Sequence, residues 1–279
     1  MSSTTQYVLG SDAEELERLD RQAASIERPT RQLLQAAGVS PGTRALDLGT
    51  GLGHVARILG ELVGSAGSVV GLDNVPGVLD AARQRTAAAG AGHVTFTQGD
   101  VTTWRAASPF DVIAGRLLLF HVADPVAVVR HHMQNLKSGG VFVAIDFDIG
   151  ACRTEPPVAF ADDVIRWVRA AFRAAGAWPH IGARLGVILE DAGLTRVTSF
   201  GLQPYFSARS GNGAALLAAV TRTLAPTIVR HGIATEADVD LPNLQRRIDE
   251  ATRAADAVIL LPTVSGAWGY SDATGAKGT

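Results

Sequence analysis

Apolar positions along this chain switch repeatedly between two spacings. Short apolar runs at Ala45-Leu46-Asp47-Leu48 and at residues 68–72, 93–97, 111–114 and 141–147 read as buried strands. Between them, apolar residues recur every three or four positions, the period of a helix with one buried face. Val55, Ile58, Leu59 and Leu62 form one such stripe. Pro76 opens a second helix that runs to about residue 89, with Gly90 beyond it. Asp124-Pro125 supplies an N-cap and a first-turn proline for a third helix. Its stripe is Val126, Val129, His132, Met133 and Leu136, and Gly139-Gly140 is expected to end it. This β-α alternation predicts an α/β fold with a doubly wound, mostly parallel sheet and ligands at the carboxyl ends of its strands.

Both flanks depart from the rhythm. Ser11-x-x-Glu14 is a capping-box pattern ahead of Leu16, Leu19, Ala23 and Ile26 at helical spacing. Pro29 ends that helix or begins the next, which Gly38 and Pro41-Gly42 close. Past residue 150 the pattern predicts a helix over 158–172, with Phe160, Val164, Ile165, Val168 and Phe172 inward. Trp178-Pro179-His180 follows in a loop, then a helix over 181–192 ending at Gly193. A long strand over 194–206, helices over 214–231 and 237–255, and a final strand over 257–264 complete the chain, with a Gly-rich tail after Tyr270 that is expected to be disordered.

At 279 residues the chain has room for one large α/β domain or a domain with an insertion. With 25 basic and 27 acidic side chains and no basic run, nothing points to nucleic acid. A single cysteine, Cys152, forms no internal disulfide, which fits a reducing cytoplasm. A polar N-terminus and the lack of any long apolar run argue against a signal peptide or a membrane span. Cytoplasmic location is the expectation, and a homodimer is compatible with it.

Candidate chemistry concentrates after the strands. Gly49-x-Gly51-x-Gly53 follows the first strand, where a tight turn and a close ligand leave no room for Cβ. A dinucleotide loop would read G-x-G-x-x-G, and this chain has His54 where the third glycine would stand. Asp73, twenty residues beyond Gly53, either accepts hydrogen bonds from ribose hydroxyls or caps the next helix. Asp100, in Gly99-Asp100-Val101, either receives an adenine amino group or is a plain turn residue, with Val75 and Val101 as apolar faces.

Together these motifs, the strand and loop from Phe110 to Pro125, and Leu261 to Gly269 resemble class I S-adenosylmethionine (SAM)-dependent methyltransferases. The likeness extends to actinobacterial small-molecule enzymes and ubiquinone/menaquinone-type enzymes. It implies an N-terminal helical lid over residues 1–40, a Rossmann-like SAM-binding core over 41–150, and the rest of the sheet with an inserted helical cap over 151–279. The sheet would have seven mostly parallel strands and an antiparallel last one. The resemblance also implies that Gly49, Thr50, Gly51, Asp73, Asn74, Asp100 and Val101 bind SAM. Arg116 would lie near the methionine part, and Tyr7 and Gln22 belong to the segment folding over it.

Methyl transfer needs alignment first and a base only where the acceptor loses a proton. His121, on the rim after the fourth strand, is the candidate base; packing or helix capping is the other reading. His131 and His132 lie in the third helix as core or surface residues, and no metal site is expected. Asp146 and Asp148 end the fifth strand, with the pocket as their other reading. Trp178, His180 and Tyr205, with Trp167, Phe172 and Phe206, are candidate linings of the cap. The expected function is SAM-dependent C-, N- or O-methylation of a small aromatic or apolar natural product, such as an indole or quinone-like ring. A SAM-binding protein without methyl transfer, such as a cyclase, is the first alternative and a nicotinamide oxidoreductase the second.

Overall fold

The computed structural model describes residues 23–24 and 26–272. Its strands are β1 (Arg44–Leu48), β2 (Ser68–Asp73), β3 (Val94–Gln98), β4 (Phe110–Arg116), β5 (Leu136–Asp148), β6 (Arg153–Glu155), β7 (Thr195–Leu202), β8 (Tyr205–Ser207), β9 (Val258–Leu260) and β10 (Thr263–Tyr270). Its helices are α1 (Glu27–Ala36), α2 (His54–Val63), α3 (Pro76–Ala88), α4 (Pro125–Met133), α5 (Ala159–Ala174), α6 (Ile181–Ala192), α7 (Asn212–Arg230), α8 (Glu236–Val239) and α9 (Leu244–Ala254). Seven strands make one mostly parallel sheet in the order β3-β2-β1-β4-β5-β10-β7, and the last strand, β10, is antiparallel to both neighbours.

The chain divides into two compact units after Val101. In the first, β1 pairs in parallel with β2, and β2 with β3. Leu46, Leu48, Leu59, Leu72 and Leu79 are almost wholly withdrawn from water and fill this unit's core. β1 is buried from Ala45 to Leu48, as a strand covered on both faces requires, whereas β3 at the sheet edge alternates apolar Val94 and Phe96 with Thr95 and Thr97. In the second unit β4 pairs in parallel with β5, and α6 packs on β5 and β10. Phe110, Ile113, Phe142 and Ile145 are its largest fully buried side chains on these strands. A smaller antiparallel sheet, β6-β9-β8, accompanies α5, α7 and α9. On α9 the buried residues Leu244, Ile248 and Thr252 recur every four positions, and that face meets α7.

Several expectations from the pattern need correction. The third helix stops at Met133, so Gly139-Gly140 does not end it. β5 has already begun at Leu136, and Gly140 sits within it where a Cβ would come within 2.9 Å of the Lys137 carbonyl. The strand expected over 194–206 is two strands in two sheets, broken at Gln203-Pro204. Proline has no N–H for a ladder. Its carbonyl accepts the Leu261 N–H, and the Gln203 side chain donates to the carbonyls of Ala151 and Leu261. The final strand is likewise split, at Leu261-Pro262. The helix expected over 237–255 is interrupted between α8 and α9, where Asp240 takes φ +44° and Pro242 follows. The cap is therefore not purely helical, since three short strands belong to it. The capping box at Ser11, together with Tyr7 and Gln22, lies outside the described residues.

Candidate active site

All seven residues expected to hold the cofactor outside the lid and Arg116 fall in the first unit, at the carboxyl ends of β1, β2 and β3. The turn after β1 is built on positive φ at Gly49, Gly51 and Gly53. Gly53 combines φ +75° with a floor directly beneath it: a Cβ there would lie 3.0 Å from the Phe96 ring. Gly51 is the opposite case, with φ +51° and open space where a Cβ would project. The loop thus packs down on Phe96 through Gly53 and leaves a bare face at Gly51.

Asp73 ties this turn to β2. One carboxyl oxygen accepts the Gly51 N–H at 2.9 Å and the other accepts the Val75 N–H at 3.0 Å. Each oxygen has two lone pairs, so one acceptor site per oxygen remains for a diol. Thr50 behaves differently: it is buried, and its hydroxyl donates to the buried Asp47 at 2.6 Å. Its side chain fastens the loop inward, so any ligand contact falls to its backbone. Asn74 and Asp100 are exposed and Asp73, Gly51 and Val101 half-buried. A bare glycine face beside a carboxyl with spare acceptor capacity fits the ribose and adenine of a SAM molecule.

In the second unit the chain leaves β4 through Leu117, a non-glycine residue at φ +54°. A left-handed bend at a leucine is uncommon and strained. It leads into the single turn Leu119–His121. Asp146, 1% exposed on β5, accepts the Phe120 N–H at 3.1 Å and the Phe147 N–H at 3.2 Å. Burial pushes its carboxyl up to about 7, against the pull of those N–H groups. Asp146 therefore does more than end a strand. It anchors the turn that carries His121.

His121 is exposed, and its ring stands edge-on to Phe120 at 5.1 Å. Partial desolvation of the ring beside its neighbours lowers its pKa below the ordinary histidine value. Arg116 is half-buried at the end of β4. Phe120 in turn meets Phe172 of α5 at 5.3 Å, edge to face. His131 bonds the Trp104 carbonyl and His132 bonds Asn135, so both are structural. No group of three or more metal-ligating side chains occurs among the described residues.

Trp178 and His180 precede α6, with Trp178 49% exposed. Tyr205 stands on β8 in the smaller sheet and is 66% exposed. Among the described residues no ring contact or hydrogen bond joins Tyr205 to Trp178 or His180. Sequence reasoning did not single out Phe96 as the floor of the glycine turn or Asp146 as the anchor of the His121 turn. The place of Phe96 shows only in the strand pairing, where it stands opposite Gly71 and a Cβ would clash with its ring at 2.6 Å.

Comparison with known proteins adds to this geometry. A family described as methyltransferase domain matches residues 39–178. Trans-aconitate 2-methyltransferase from Rhizobium rhizogenes is 33% identical over 114 residues, 41% of this chain and 42% of that protein. The ubiquinone/menaquinone biosynthesis C-methyltransferase of Ectopseudomonas mendocina is 32% identical over 119 residues, 42% of this chain and 46% of that protein. The chain thus spans about half the length of the curated relatives it matches. Among solved structures, the YcgJ protein from Bacillus subtilis superposes with a TM-score of 0.58 at 17% identity, covering 88% of this chain and 99% of that one. That likeness concerns the fold.

Proposed function

The chain belongs to the methyltransferase domain family, and on that premise we propose that it is an enzyme transferring a methyl group from SAM to a small molecule. One observation carries the reading. The Gly51 N–H, its bare α-carbon and the Asp73 carboxyl form a single hydrogen-bonded cradle, with acceptor capacity left on the carboxyl that would serve ribose hydroxyls. When bound, SAM supplies an electrophilic methyl on a cationic sulfur, so the hard chemistry is the cofactor's. The chain's residues bind, orient and manage the proton.

In this reading Asp73 takes the ribose hydroxyls, Asp100 and Val101 the adenine, and the backbone of residues 49–51 the edge of the nucleoside. Arg116 would face the methionine part, with Tyr7 and Gln22 in the covering segment. Acceptor recognition belongs to the second unit, where Phe172, packed on the buried Phe120, and Trp178 offer aromatic surface and His180 a polar edge. His121 is the proton acceptor for substrates that lose one; its lowered pKa keeps it neutral at pH 7, as a base must be. The acceptor is an aromatic or apolar small molecule. The C-methyltransferase relative supports carbon as one position of attack.

A nicotinamide oxidoreductase is set aside by the family match. No helix among the described residues is long and apolar enough to cross a membrane. Incubation with SAM and candidate acceptors, read by mass spectrometry, tests the reading. A product heavier by one methylene unit, with demethylated cofactor formed alongside, is expected. Turnover of an acceptor without that gain would favour a rearrangement catalyst instead.

A further inference from the structure

The carboxyl end of β5 and the facing side of α5 carry a polar cluster that the alignment of a methyl group does not use. His180 is seated on Gly150 so closely that a Cβ at position 150 would fall 2.0 Å from its Nδ1. The seat is fixed: the N–H groups of Ile149 and Gly150 both donate to the Pro179 carbonyl, at 2.8 and 3.3 Å. Gly150 also donates to Asp148 at 2.9 Å. On the other side of the ring, Nε2 lies 3.0 Å from an Nη of Arg173. A guanidinium only donates, so His180 Nε2 is the acceptor and its proton resides on Nδ1, toward Asp148 at 3.9 Å.

One turn back on α5 is Arg169. It gives one Nη N–H to the Cys152 carbonyl at 2.8 Å, while its Nε–H is buried and has no acceptor among the described residues. Buried donors are almost always paired, so this N–H is one that an oxygen would satisfy. Neither Arg169 nor Arg173 has a carboxylate within 4 Å among the described residues. Asp148 is the single acid of the cluster, and it faces the Nδ1 side of the histidine, away from the arginine. Two guanidinium groups against one carboxylate leave a net positive charge beside aromatic surface. Phe172 lies between the two arginines in sequence, and Trp178 is half open to solvent.

We infer that Arg169 and Arg173, the latter positioned by His180, form an oxyanion subsite, so that the acceptor is an aromatic or apolar acid held by its carboxylate. Guanidinium groups suit this task because their N–H donors match the two oxygens of a carboxylate. Arg173, exposed and bonded among the described residues to His180, makes the first contact. The incoming oxygen then supplies the acceptor that Arg169 lacks. The inference rests on the second unit's being the acceptor side in the function proposed above, and its test separates the two.

The full chain saturated with S-adenosylhomocysteine is titrated calorimetrically with phenylacetate and indole-3-acetate, each against its uncharged amide. Each acid should bind about tenfold or more tightly than its amide, as for a charge-assisted bond gained. Arg173→Gln should bring the acid down to the amide's affinity while the heat of cofactor binding stays unchanged. Arg169→Gln should do the same, and Arg173→Gln, at an exposed position, keeps the test open if Arg169→Gln does not fold. Equal binding of acid and amide, no binding of either acid, or a preference that survives Arg173→Gln would overturn the inference. Absence of heat with the cofactor would instead count against the proposed function, and the acid and amide comparison would then be read on the unliganded chain.

Discussion

Gly53 and Asp146 show how single residues hold the two parts of this molecule. Alanine at 53 would have to adopt φ +75° and press a methyl group onto the Phe96 ring. Gly53→Ala is predicted to cost about 1–3 kcal/mol of stability in denaturant unfolding, the range for a non-glycine residue in a disfavoured conformation. A change within a few tenths would show that the turn is not built on that contact. Asp146 makes a prediction in pH. Its folded pKa, near 7, lies above the unfolded carboxyl value, so between about pH 4 and 7 the folded state holds a proton the unfolded state has released. Stability therefore falls as pH rises through that window, by on the order of 2–4 kcal/mol for this group, and levels off above it. Asp146→Asn cannot ionise, so from pH 4.5 to 7.5 the variant should gain on the wild type. A constant difference between the two melting curves would contradict this. The turn at Gly53 was legible because a G-x-G-x-G run marks positive φ in the sequence itself, and the place of Asp73 at the end of β2 was legible from its offset to that run. The roles of Asp146 and Arg173 were not, because Phe120 is 26 residues from the one and the His180 ring is oriented by backbone remote from the other.

At the scale of elements, the sequence pattern located every strand of the first unit to within a residue, and failed where proline breaks an apolar run. Residues 194–206 and 257–264 keep their apolar character across Pro204 and Pro262, so periodicity alone joins what the fold divides. The division lets each run serve two sheets: β7 and β10 in the large one, β8 and β9 in the small. Gln203 then takes the two carbonyls left at the corner. The start of helix α4 is a case where sequence signals sufficed. The Asp124 carboxyl accepts the Ala127 N–H at 2.9 Å, with Pro125 in the first turn. Asp124→Ala should lower stability by about 1 kcal/mol, as for a lost N-cap. Equal stability by chemical denaturation would mean that tertiary packing alone holds the helix start.

For the molecule as a whole, the first unit holds the groups assigned to the nucleoside and the second the groups assigned to the acceptor. Cys152 offers a chemical report on the second. Burial pushes its thiol up to about 12, so it is neither ionised nor accessible at neutral pH. A disulfide-exchange reagent at pH 8 should leave the native thiol essentially unmodified and react promptly once the chain is unfolded. Fast labelling of the native protein would mean that the segment after β5 opens readily. The most direct test of the central claim is calorimetric titration of the purified chain with SAM and S-adenosylhomocysteine, with NADH beside them and Asp73→Ala as the comparison. Binding of both sulfur nucleosides, none of NADH, and a loss of about tenfold or more in Asp73→Ala are predicted. Unchanged affinity in Asp73→Ala would remove that carboxyl from the cradle, and binding of NADH alone would contradict the account.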